Sequence, residues 1–157
     1  MAPGWLLRSN NSHTLSGRAD TFGMSLFKWK DEYLVGQPEI DNQHKRLFQL
    51  ADELHTAMTA GKGKDVMLKT LGDLIDYTKR HFAAEEALML RSKYPGYPEH
   101  KAFHDKLTAQ VVQFQTEFAA GKSIVSIQLL QFLKDWLQHH IAETDRKIAV
   151  YLSHQAA

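Results

Sequence analysis

From Asp41 onward, apolar positions recur at steps of three and four, the period of a helix with one buried face. His44, Leu47, Ala51, Leu54 and Met58 form the first stripe. It predicts a helix from Asp41 to about Ala60, with Asp41 as N-cap and Gly61 and Gly63 at its end. Leu71, Leu74, Thr78, His81, Glu85 and Leu88 predict a second helix, from Lys64 or Asp65 to about Arg91. Lys93-Tyr94-Pro95-Gly96-Tyr97-Pro98 reads as a turn, and Pro98 suits the first turn of the next helix, where its missing N–H costs nothing. His100, His104, Leu107, Val111, Phe114 and Phe118 predict that third helix, Pro98 to Ala120, stopped by Gly121. Leu130, Leu133, Leu137, His140, Thr144, Ile148 and Leu152 predict a fourth, from Ser123 or Ser126 to about Ser153.

Four amphipathic helices with short connectors predict an all-α fold, an antiparallel up-down-up-down four-helix bundle. Phe27 to Pro38 has no sustained helical period and is punctuated by Gly36 and Pro38. It reads as an N-terminal extended arm, anchored by Trp29, Tyr33, Leu34 and Val35 and covering one end of the bundle. Residues 1–23 pass from Met1-Ala2-Pro3-Gly4-Trp5-Leu6-Leu7-Arg8 into Ser, Asn, Gly and Thr. They read as a disordered tail, and residues 24–157 as one bundle domain.

Composition narrows the function. A chain of 157 residues with 43% hydrophobic and 24% charged residues is the size and make-up of one globular domain. A net charge of +1 without a basic tract gives no reason to expect nucleic acid. No apolar run approaches the roughly 18–20 residues of a membrane span. The absence of cysteine excludes disulfides and thiolate metal sites, and fits a cytoplasmic protein.

Of the 9 histidines, five lie on the inward stripes: His44, His81, His100, His104 and His140. Each alone has an ordinary explanation. A single histidine on an apolar stripe is usually a hydrogen-bonded core residue, and His81-x-x-x-Glu85 is a spacing common on solvated faces. Four in-phase stripes together are a different matter. Imidazoles and carboxylates buried among Leu and Phe carry a desolvation cost that a bound metal offsets, and imidazole suits iron, copper, nickel and zinc. The last pair is awkward: residues five apart, His140 and Asp145, differ by roughly 140° on an ideal helix. His139 with Glu143 is the tidier couple, although the phase of Leu133, Leu137 and Thr144 favours His140. Spacing leaves that choice open.

The order His, His-x-x-x-Glu, His-x-x-x-His, His-x-x-x-x-Asp resembles the hemerythrin signature. Ile40-Asp41-Asn42-Gln43-His44-Lys45-Arg46-Leu47 and Thr144-Asp145-Arg146-Lys147 add to the likeness, which runs from about Phe27 to Leu152 and is strongest to the bacterial single-domain hemerythrins (bacteriohemerythrins). The resemblance implies a non-haem di-iron centre that binds dioxygen reversibly. His100, His104 and His140 would hold one iron, and His44 and His81 the other, which keeps a free position. Glu85 and Asp145 would bridge both irons beside a solvent-derived oxo or hydroxo group. The same pattern selects His140 and Asp145 at the last pair. Trp136 and Leu137 would line the oxygen pocket, with core packing an equal reading for Trp136.

So read, the protein is an oxygen carrier and not an enzyme, with no catalytic residue. It is a monomer whose partners are dioxygen and an oxygen-consuming enzyme. An imidazole-dominated site carries less negative charge than carboxylate-rich di-iron sites, which makes highly oxidised states harder to reach. The rival ferritin-like and oxygenase bundles are marked by Glu-x-x-His, which this sequence lacks. An oxygen or redox sensor module and an iron-buffering role use the same scaffold and remain alternatives. His13 and His154 fall in flexible ends, and His55 and His139 beside the stripes; none is assigned to metal.

Overall fold

The computed structural model describes residues 25–122 and 125–156. The expectation for residues 1–23 lies outside them, as does Ser123 as a helix start. The described residues contain no strand. A 3-10 turn at Asp31–Tyr33 leads into α1 (Pro38–Thr59), α2 (Lys64–Arg91), α3 (Tyr97–Ala119) and α4 (Val125–His139). A π-helical segment, His140–Asp145, then joins α4 to α5 (Arg146–Gln155). Helix α1 packs on α2, α2 on α3, α3 on α4, and α4 back on α1, which closes the four-helix bundle. No helix among the described residues is long and apolar enough to cross a membrane.

The helix ends follow from local chemistry. Helix α1 starts at Pro38, earlier than the sequence suggests, because a proline at the first position gives up no hydrogen bond. Asp41 is therefore not the N-cap. It is buried inside the helix, where its carboxylate accepts the backbone N–H groups of Val35 (2.7 Å) and Gly36 (3.1 Å) and pins the arm. Helices α1 and α3 end in left-handed glycines, Gly61 (φ 62°) and Gly121 (φ 86°). Lys93 takes the same role after α2 at φ 55°, without a glycine's freedom. There Tyr94 N–H donates to Met89 O (2.9 Å) and Lys93 N–H to Leu90 O (3.2 Å).

The arm is held by aromatic packing. Tyr33 stacks on Phe48 with ring centres 5.1 Å apart, and the Trp29 ring meets both edge-on. Arg146 closes the other side by donating to Glu32 O.

The inward stripes fill the interior with two shifts. Met89, not Leu88, is fully buried on α2, and Leu129, not Leu130, on α4; Leu88 and Leu130 are half-buried. The true stripes step by four at those points, Glu85 to Met89 and Leu129 to Leu133, where the helical period alone accepts a step of three equally well.

Candidate metal centre

Each part of the bundle sends polar side chains to one place in its core. His44 comes from α1, His81 and Glu85 from α2, His100 and His104 from α3, and His140 and Asp145 from the π segment. All seven are at most 3% exposed. The π segment resolves the five-residue spacing. Its backbone bonds run from i to i+5, so residues five apart come onto one face, and such segments often mark functional positions. His140 Nε2 thus lies 3.0 Å from Asp145 Oδ1. His139 and Glu143 are exposed.

The two carboxylates are divided between two sets of imidazoles. Glu85 Oε1 lies 3.6 Å from Nε2 of both His44 and His81, while Oε2 lies 3.6 Å from His100 Nε2 and 3.3 Å from His104 Nε2. Asp145 Oδ2 lies 3.0 Å from His44 Nε2, and Oδ1 lies 3.2 Å from His100 Nε2. Two clusters result, His44–His81 and His100–His104–His140, each completed by Glu85 and Asp145. Within each cluster the donor atoms lie within 4.8 Å of one another.

These groups fit a pair of cations better than they fit each other. Both oxygens of Glu85 and of Asp145, and Nε2 of His44, His81 and His100, are buried without a hydrogen-bond partner. They approach one another to 3.0–3.6 Å without forming hydrogen bonds, whereas Nε2 of His104 and Nε2 of His140 pair at 3.2 Å. Unpaired buried polar atoms cost roughly 1–3 kcal/mol each, so this many in one core calls for a bound group that accepts lone pairs.

The electrostatics follow from burial against these neighbours. Burial disfavours charge on His44, but Asp145 and Glu85 outweigh it and raise its pKa to about 9. The same balance raises His100 to about 9. Burial drives His81 down to about 4 and lowers His140 as well. Burial pushes Glu85 upward, yet His81, then His100, His104 and His44, hold it well below the ordinary carboxylate range. Asp145 is also lowered: burial and Glu85 push it up, and His140, His100 and His44 pull it down further. Without metal, imidazolium at His44 and His100 faces two carboxylates.

A model of the hemerythrin HHE cation binding domain matches residues 35–152. The chain belongs to the hemerythrin family. It is 34% identical over 126 residues to a bacteriohemerythrin of Stenotrophomonas maltophilia, a match covering 80% of this chain and 81% of that one. A bacteriohemerythrin of Methylococcus capsulatus is 34% identical over 131 residues, 83% of this chain and 99% of that one. The fold is similar to a crystal structure of wild-type hemerythrin with a TM-score of 0.72 and 34% identity, over 80% of this chain and 97% of that one. A leucine-to-tyrosine variant of hemerythrin gives 0.76 at 33% identity, over 83% of this chain and 99% of that one.

Around this hemerythrin cage stand residues that sequence reasoning did not single out. His81 Nδ1 donates to Gln43 Oε1 and His104 Nδ1 to Glu86 Oε1, both at 3.0 Å. The Phe82 ring stacks on His104 at 3.7 Å and 7°, and meets Trp136 edge-on at 6.0 Å. The only signal for them was adjacency: Gln43 precedes His44, Phe82 follows His81, and Glu86 follows Glu85. Trp136 and Leu137 are buried in α4 one turn before His140. A cleft of about 440 Å³ between α3 and α4 reaches His140; Phe103, Leu107, Phe132 and Trp136 line it together with Lys106, Gln110, Asp135 and His139. Among the other histidines, His55 is half-buried and His139 and His154 are exposed; His13 lies outside the described residues.

Proposed function

We propose that this cage holds two irons and binds dioxygen reversibly, as a carrier and not as a catalyst. His100, His104 and His140 hold one iron, His44 and His81 the other, and Glu85 and Asp145 bridge them. A di-iron centre with its oxo or hydroxo bridge supplies reversible electron donation, which amino-acid side chains lack. The observation that carries the reading is the division of each carboxylate: one oxygen toward the two-histidine cluster, the other toward the three-histidine cluster. The unequal imidazole count leaves the two-histidine position one donor short, and that is the place for a diatomic ligand.

The remaining side chains serve this role by what they exclude. Phe82, Trp136 and Leu137 are buried and lack acids or bases that would deliver protons. On this reading Trp136 and Leu137 line the oxygen pocket. Dry apolar surroundings also strengthen the electrostatic hold of the carboxylates on the metals.

The test is to load the protein with ferrous iron under inert gas and admit air. A visible charge-transfer band should appear and should vanish when the gas is exchanged back, through repeated cycles. Irreversible bleaching coupled to turnover of an added substrate would instead make the protein an enzyme.

A further inference from the structure

We infer that Glu86 and Gln43 are positioning residues for the two metal pockets, and that Glu86 biases the three-histidine pocket toward the more highly charged ion. The inference rests on the di-iron reading above. Glu86 sits one residue beyond Glu85 on α2, rotated off the inner face, with its side chain 20% exposed. Its carboxylate reaches the back of His104 on α3. An ionised carboxylate only accepts, so the proton must sit on His104 Nδ1. That leaves the Nε2 lone pair facing the cage, 3.3 Å from Glu85 Oε2. Gln43 of α1 does the same for His81 of α2, through its neutral amide oxygen.

The two contacts share one length, 3.0 Å, and differ in charge. Behind the other imidazoles the situation is different: Nδ1 of His44 and of His140 are buried without a partner. Among the described residues, His81 in one pocket is anchored from behind by the amide of Gln43, and His104 in the other by the carboxylate of Glu86. A carboxylate on the outer nitrogen makes imidazole a stronger donor, and such outer contacts are worth roughly 10–100-fold in metal affinity. A stronger donor favours ferric over ferrous iron. The ordinary alternative is that the two contacts are only ties between helices, α2 to α3 and α1 to α2.

The experiment compares the full chain with Glu86→Gln, Glu86→Ala and Gln43→Glu. Each is loaded anaerobically with ferrous iron; iron per chain, melting temperature and one-electron reduction potentials are then measured. Glu86→Gln should keep two irons and lose about tenfold in ferric preference, a positive shift of about 59 mV for one electron. Gln43→Glu should shift a potential in the negative direction. Glu86→Ala should weaken uptake at one position. Altered melting temperatures with unchanged potentials in Glu86→Gln and Gln43→Glu would make the contacts simple helix ties and overturn the inference. If Glu86→Gln fails to fold, Gln43→Glu decides by the same criterion. A wild-type chain that takes up fewer than two irons would instead overturn the di-iron reading itself, and this inference with it.

Discussion

Phe82 offers the sharpest test of how the surrounding core supports the metal cage. Its ring is 4% exposed, lies flat against His104 at 3.7 Å, and is crossed edge-on by Trp136. Phe82→Ala removes that ring from a closely packed interior, which costs about 3–5 kcal/mol. At about 2–4 °C per kcal/mol for a chain of this size, the iron-free protein should melt about 6–20 °C lower. Phe82→Leu keeps most of the volume and should cost less than about 1.5 kcal/mol. Calorimetry on the iron-free forms measures both. On the loaded forms, the band formed in air should decay faster in Phe82→Ala, because water replaces the ring beside His104. A melting temperature within about 2 °C of wild type, with unchanged decay, would mean that Phe82 neither fills the core nor shields the cage.

Other consequences are open to direct measurement. His81→Ala should lose iron from the two-histidine position while His139→Ala keeps both irons; equal iron content in the two variants, by elemental analysis, would contradict the ligand assignment. The folded-state pKa values of His44 and His100, about 9 against 6.5 for a free histidine, stabilise the iron-free protein fully below pH 6.5. That stability is lost as pH rises toward 9, so the iron-free melting temperature should fall across this window; the loaded form, whose rings hold metal in place of protons, should change much less. Lys93→Gly should raise the melting temperature by up to about 6 °C. It relieves a left-handed backbone worth about 1–2 kcal/mol, against a glycine entropy cost of about 0.5–1 kcal/mol.

The stripes made most of this molecule legible in advance. Leu47, Leu54, Leu71, Leu74, Leu133 and Leu137 were marked by period alone and are all buried to within 1%. Six of the seven cage residues shared that phase, so their convergence followed from the bundle; Asp145 lay off the stripe, and the π segment turns it inward. What stayed hidden depended on contacts between helices. Steps of three and four differ little on a single helix, so Met89 and Leu129 could not be told from Leu88 and Leu130 until their neighbours were placed. Asp41 looked like a cap because a carboxylate before an apolar run usually is one; its actual partners, Val35 and Gly36, are fixed by the path of the arm. Gln43 and Glu86 are polar residues on partly exposed faces, and nothing in their spacing separates them from any solvated side chain.

The wide turn at His140–Asp145 means that this helix carries one residue more than an even count needs. Dropping one residue between Ile141 and Thr144 would leave the histidine and aspartate four apart, about 40° from each other on an ordinary helix, with Ile148 still beneath them. Such a shortened chain would keep its fold and its seam. Any change in how it grips iron would then report the depth at which the aspartate is presented, separately from whether it is present.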